Sequence, residues 1–125
     1  MKIPARLLEE ARRRCSPDAE CPALLFGREE TVLTWSWLRN VLNSPTAFLL
    51  DPEEMYRAIT EAEASGLELV AIFHTHPGPP APSPIDLRYM RLWPVAWVIS
   101  NVYTWETAAW RLKEGRAAPV HLEWI

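Results

Sequence analysis

Two histidines one residue apart, His74 and His76, are followed by an aspartate, Asp86, across a loop in which five of the nine intervening residues are proline. The stretch ahead of them, Leu67 to Phe73, is largely apolar and β-branched, which predicts a buried strand running into the histidines. Alternation along that strand projects His74 and His76 to one face and Thr75 to the other. Two imidazoles and one carboxylate are three of the four ligands of a tetrahedral zinc. A fourth position left open is what separates a catalytic zinc from a structural one. The chemistry such a centre implies is hydrolysis.

A plainer explanation covers part of the same pattern. Ser83-Pro84-Ile85-Asp86 reads as a helix start, with Ser at the N-cap, Pro at the first helical position and Asp at the third, a variant capping box. Capping alone accounts for both Ser83 and Asp86. Glu20, in a loop before the first strand, is by itself an ordinary surface acid. On spacing alone the two readings stand side by side.

The elements that must position these residues alternate between strand and helix. Pro4 to Cys15 carries Leu7, Leu8 and Ala11 at helical spacing, with Pro4 suited to a first turn. Ala23 to Phe26 is a short apolar strand closed by Gly27. Thr31 to Val41 reads as another, with Leu33, Trp35 and Trp37 on one face, and Thr46 to Leu50 as a third. Asp51-Pro52-Glu53-Glu54 starts a helix that runs to Ser65 and stops at Gly66. The histidine strand and the helix opened by Ser83 follow, and Val95–Tyr103, Thr107–Lys113 and Val120–Trp124 complete the strands. The expectation is a single domain over residues 1–125, an α/β three-layer sandwich around one mixed sheet.

Composition narrows the function. A chain of 125 residues with 49% hydrophobic content can build one core. A formal net charge of −3 argues against nucleic acid as the main partner, and Arg12-Arg13-Arg14 is expected on the solvated face of the first helix. No stretch is long and apolar enough for a membrane span, and no secretory leader is evident, so the expectation is a soluble cytoplasmic protein. Cys15 and Cys21 lack metal-motif spacing, and reduced thiols are the default. A disulfide would suit a hyperthermophile, toward which eleven arginines among 13 basic residues point faintly.

With these residues in view, the chain resembles the JAMM (MPN-plus) zinc metalloproteases. Their signature is a glutamate ahead of an early strand, then His-Ser/Thr-His-Pro, then Ser-x-x-Asp. Here Glu20 precedes Ala23-Leu24-Leu25-Phe26-Gly27 at the family's spacing, and His74, His76, Pro77, Ser83 and Asp86 supply the rest. The order of the surrounding elements agrees, from the N-terminal helix through the Phe48–Pro52 junction to the strand containing Ala109-Trp110-Arg111. The resemblance implies the family's fold, of cytidine-deaminase-like topology. It also implies one Zn²⁺ per chain held by His74, His76 and Asp86, Glu20 as general base, and Ser83 as a donor to the oxyanion. The implied substrate is the C-terminal tail of a ubiquitin-like or sulfur-carrier protein, cut at a peptide or isopeptide bond after Gly-Gly. The loop from His76 to Asp86 is one residue shorter than the family pattern, and its prolines are expected to reroute it without removing Asp86. Pro22 stands where the family more often has glycine, which suggests a sheet edge beside Glu20.

Three other classes compete. One is a non-catalytic MPN-type zinc-binding scaffold, another a RadC-like DNA-associated protein, and the third a zinc base deaminase, whose Pro-Cys-x-x-Cys ligands are absent. The seven tryptophans are expected mainly in the core. Those that a chain this small cannot cover are expected at a homodimer interface or along the substrate-tail groove. Trp93 and Trp97 stand one helical turn apart around Pro94, and His121 is expected on a strand surface.

Overall fold

The computed structural model describes residues 1–125. In chain order the elements are β1 (Lys2–Ile3), α1 (Arg6–Arg14), β2 (Ala23–Arg28), β3 (Thr31–Trp37), α2 (Pro52–Ala64), β4 (Glu68–His76), α3 (Pro84–Leu92), β5 (Ala96–Asn101), β6 (Thr107–Lys113), β7 (Arg116–Val120) and β8 (Glu123–Trp124). All eight strands form one sheet in the order β7-β6-β5-β4-β2-β3-β1-β8. β4 and β5 are parallel, as β1 is to both its neighbours, and the other pairs are antiparallel. The expected mixed sheet is therefore present.

Alternation along the strands divides the core between the two faces of the sheet. Ala23, Leu25, Ala71, Phe73 and Val98 pack with Leu7 and Ala11 of α1. Leu24, Phe26, Ile72 and Trp97 pack on the other side with Ala62 of α2 and Met90 of α3. Three layers result, with the helix between β4 and β5 serving as the crossover that a parallel strand pair requires. The chain leaves β4 at His76, passes through the proline loop and returns along α3.

Local chemistry explains the helix starts. Asp51 caps α2 by accepting from Glu53 N–H at 2.9 Å, with Pro52 in the first turn, and Gly66 at φ +76° terminates the helix. Ser83 and Asp86 form a reciprocal capping box at the start of α3.

Several sequence expectations differ from the structure. Thr46–Leu50 is not a strand. The Asn40 side chain satisfies its backbone instead: Nδ2 donates to the Ala47 carbonyl at 2.9 Å, and Oδ1 accepts from Leu49 N–H at 3.2 Å. The strand from Thr31 ends at Trp37, and Leu33 is an extra residue in it, because Phe26 pairs with Thr34 while Gly27 pairs with Val32. This bulge puts Val32, rather than Leu33, with Trp35 and Trp37 on the α1 side. Gly27 is required there, since a Cβ would lie 1.8 Å from the Thr31 carbonyl oxygen. The expected strand Val120–Trp124 is not one element. β7 runs Arg116–Val120, starting after a two-residue hairpin turn at Glu114 (φ 53°) and Gly115 (φ 79°). Only Glu123–Trp124 is strand beyond it, pairing with β1 as β8 at the opposite edge of the sheet. Pro119 is tolerated in β7 because this is an edge strand. Pro22 marks no edge: β2 lies between β4 and β3, and the proline precedes its first paired residue, Ala23. Trp93 and Trp97 do not share a helix, because Trp93 caps α3 and Trp97 belongs to β5. Trp97 is fully buried and Trp124 is exposed.

Candidate metal centre

Strand β4 delivers both histidines, as alternation requires, to the face covered by α2 and α3. His74 is 0% exposed, and its ring rests on Phe48 (centroids 4.8 Å apart) and against the edge of Trp97 (5.7 Å). An apolar cavity of about 390 Å³ between α2 and α3 shares Phe48 and Trp97 with this wall. The His76 ring lies 4.8 Å from that of His74, and its Nδ1 is 3.4 Å from the Pro79 carbonyl. The short loop does bring Asp86 back to the histidines. One oxygen, Asp86 Oδ2, lies 2.9 Å from His76 Nε2 and 3.3 Å from His74 Nε2, and it also accepts from Ser83 N–H at 2.9 Å. Trp110 Nε1–H fixes the loop by donating to the Pro80 carbonyl at 2.8 Å.

The capping box of Ser83-x-x-Asp86 and the approach of Asp86 to the histidines coexist in one arrangement. The box orients the carboxylate, and the histidines meet it. Ser83 Oγ accepts from Asp86 N–H at 3.1 Å, which leaves its hydroxyl proton free to donate elsewhere.

Glu20 reaches the same place from a distant part of the chain. It is 4% exposed, with Oε2 3.9 Å from His76 Nε2. Ligand-type atoms of Glu20, His74 and His76 all lie within 4.8 Å of one another. Two overlapping triads therefore share the histidines, and Asp86 makes the shorter contacts. The Glu20 N–H donates to the Ser44 carbonyl at 2.7 Å, and the Glu20 carbonyl accepts from Asn40 Nδ2 at 3.1 Å. Cys21 N–H donates to Thr75 Oγ1 at 2.9 Å. Cys21 is also disulfide-bonded to Cys15, which ties α1 to this segment and corrects the expectation of reduced thiols. The pairing also leaves no free cysteine to serve as a metal ligand. Asn40, Thr75 and the disulfide were not singled out from sequence as parts of the site. The threonine between the histidines was the one visible signal, since its face was predictable and its partner was not. His121 is remote from the cluster, an exposed residue whose carbonyl accepts from the N-terminal amine.

The electrostatics of the two acids are opposite. Burial pushes Glu20 up from 4.5 to about 8; His76 opposes the shift and Asp86 adds to it. Burial would also raise Asp86, but hydrogen bonds from His74 and His76 outweigh it and hold the carboxyl well below its usual range. Burial lowers His74. For His76 burial acts downward too, but the Asp86 carboxylate prevails and the group is raised.

The residues fit a metal ion. Three donors converge on one carboxylate oxygen that has about two lone-pair positions, a crowding that a shared cation relieves. Ligand atoms about 2.0–2.1 Å from a tetrahedral zinc stand roughly 3.3 Å apart, close to the 2.9 and 3.3 Å separations here. His74 Nε2 faces Asp86, and its other ring nitrogen, Nδ1, is buried without a hydrogen-bond partner.

Comparison with known proteins agrees with this geometry. The family described as prokaryotic homologs of the JAB domain matches residues 2–113. A desampylase of Pyrococcus furiosus is 49% identical over 100 residues, covering 79% of this chain and 71% of the relative. A probable TtuB-protein conjugate cleaving protease of Thermus thermophilus is 43% identical over 101 residues, covering 78% of this chain and 67% of the relative. The crystal structure of a JAB1/MPN domain protein from Archaeoglobus fulgidus superposes with a TM-score of 0.64 at 20% identity, covering 100% of this chain and 99% of that one, and so shares the fold. With a family match from the first strand through β6 and a buried Glu, His, His cluster at its centre, the chain belongs to the prokaryotic JAB-domain family.

Proposed function

We propose that the protein is a zinc metallopeptidase that hydrolyses the peptide or isopeptide bond after the C-terminal Gly-Gly of a ubiquitin-like or sulfur-carrier protein. The observation that carries this reading is the meeting of His74 and His76 on Asp86 Oδ2, with the Glu20 carboxylate one step further out. In it His74, His76 and Asp86 hold the metal. A zinc ion there supplies Lewis acidity and lowers the pKa of water from about 15.7 toward roughly 7. Glu20 takes the proton of the attacking water and returns it to the leaving amine. Burial raises its pKa in the metal-free protein, and a cation on the neighbouring histidines would lower it again, so that the carboxylate is ionised and can accept. The Ser83 hydroxyl donates to the oxyanion that develops on the scissile carbonyl. Phe48 and Trp97 exclude water from behind His74.

The names of the two curated relatives, a desampylase and a conjugate cleaving protease, support a protein conjugate as substrate. An extended Gly-Gly tail is narrow enough to enter a buried site of this kind. No helix is long and apolar enough to cross a membrane. We read the chain as one peptidase domain and assign it to the cytoplasm together with its conjugate substrates. An intracellular disulfide suits a thermophilic setting, and both relatives come from genera of thermophiles.

The test compares wild type with Glu20→Gln for zinc content, melting temperature and single-turnover cleavage of a Gly-Gly-linked fusion. Zinc and fold are expected to persist while cleavage falls about 10²–10⁴-fold. A folded, zinc-loaded Glu20→Gln protein that cleaves at the wild-type rate would sink the mechanism, and a wild type that never cleaves would favour the scaffold reading.

A further inference from the structure

Between the two histidines, Thr75 points to the opposite face and is 1% exposed. Its Oγ1 accepts a 2.9 Å hydrogen bond from Cys21 N–H. Cys21 directly follows Glu20, and the next residue, Pro22, has no N–H to offer. The regular pairing of β2 with β4 begins only at Ala23, opposite Phe73. Thr75 therefore ties the Glu20 segment to the strand that carries the histidines. The other hydrogen-bonded holds on Glu20, Ser44 and Asn40, lie outside β4.

We propose that Thr75 is a positioning residue whose hydroxyl sets the reach of the Glu20 carboxylate to the His74–His76 pair. The proposal rests on the reading of Glu20 as general base. One strand then fixes both halves of the site, presenting the histidines on one face and an acceptor for the base-bearing segment on the other. The acceptor oxygen is essential to this role. Thr75→Val keeps the shape but removes the acceptor of the half-buried Cys21 N–H, whereas Thr75→Ser retains the oxygen.

The experiment measures kcat and KM for a ubiquitin-like protein fused through its C-terminal Gly-Gly to a reporter. Wild type, Thr75→Val, Thr75→Ser, Glu20→Gln and the Thr75→Val/Glu20→Gln double variant are compared, each with its zinc content and melting temperature. Thr75→Val is expected to lower kcat about 10–10²-fold, with KM and zinc content unchanged, and Thr75→Ser to recover most of that loss. In the Glu20→Gln background Thr75→Val should add no further loss, because the residue acts through Glu20. Should Thr75→Val not fold, Thr75→Ala against Thr75→Ser carries the same comparison. The proposal is overturned if the valine variant matches wild type per zinc-loaded folded molecule. It is also overturned if its loss follows zinc content or folded fraction, or if the loss appears in full beside Glu20→Gln. An inactive wild type would instead remove the peptidase reading beneath it, a result distinct from all of these.

Discussion

Two carboxylates approach the same histidine pair, by different routes and into different electrostatic states. Asp86 comes from nearby in sequence, on the first turn of a helix whose capping box holds its oxygen in place. Donors surround it, and it stays ionised. Glu20 comes from more than fifty residues upstream, on a segment held by hydrogen bonds to Ser44, Asn40 and Thr75 and by the disulfide. Few groups compensate its burial, and in the metal-free protein its pKa is pushed up to about 8, a shift that a cation on the histidines would oppose. Surroundings alone thus make one acid a permanent anion and the other a proton carrier. Pairs of titratable groups pushed apart in this way mark acid–base sites.

Replacing the anion should have the largest effect. Asp86→Ala removes a proposed ligand and half of the capping box. Loss of zinc on dialysis, loss of measurable cleavage and a destabilisation of about 0.5–2 kcal/mol from the cap are expected together. Retention of full zinc by dialysed Asp86→Ala would reduce Asp86 to a capping residue and remove the contrast with Glu20.

The second prediction concerns pH and the metal-free protein. Glu20 ionises in the unfolded chain near 4.5 and in the fold near 8. Between those values the unfolded state releases a proton that the native state keeps, so stability falls as pH rises through the window. Glu20→Gln lacks this titration. Its stability advantage over wild type should be absent below about pH 4.5, grow to about pH 8 and then level off. Asp86 has the opposite sign: its lowered pKa contributes stability above its ordinary value of 3.8 that is lost as pH falls further. Denaturant titrations of the two metal-free proteins across this range supply the check. Parallel stability curves would show that Glu20 is not the buried acid described here.

The smallest effect on the site itself is expected from the tether. The Cys15–Cys21 bond closes a short loop, with a sequence separation of 6. Replacing both cysteines with serine should cost about 2 kcal/mol of stability while leaving zinc content intact, because the histidines and Asp86 are held by β4 and the α3 capping box. A loss of zinc would show that the tether also holds the ligand set, contrary to the separation of the two regions.

The difference between the acids is also a difference in legibility. His74 and His76 could be assigned to one face because strand alternation is a property of the backbone itself. Ser83 and Asp86 were readable because capping acts over three residues. The mixed sheet and its helices followed from equally local patterns, and the JAMM resemblance joined Glu20 to them by order alone. The errors in the fold came where side chains or sheet position overrule local preference. Asn40 occupies the backbone groups that would have made Thr46–Leu50 a strand, an extra residue shifts the alternation at Leu33, and an edge position admits Pro119. The tertiary structure alone decided how Glu20 arrives. Its anchors on Asn40 and Thr75, the pairing of Cys21 with Cys15 and the burial that raises its pKa all depend on contacts between segments distant in the chain. No local periodicity encodes such contacts, because they exist only once both layers have closed on the sheet.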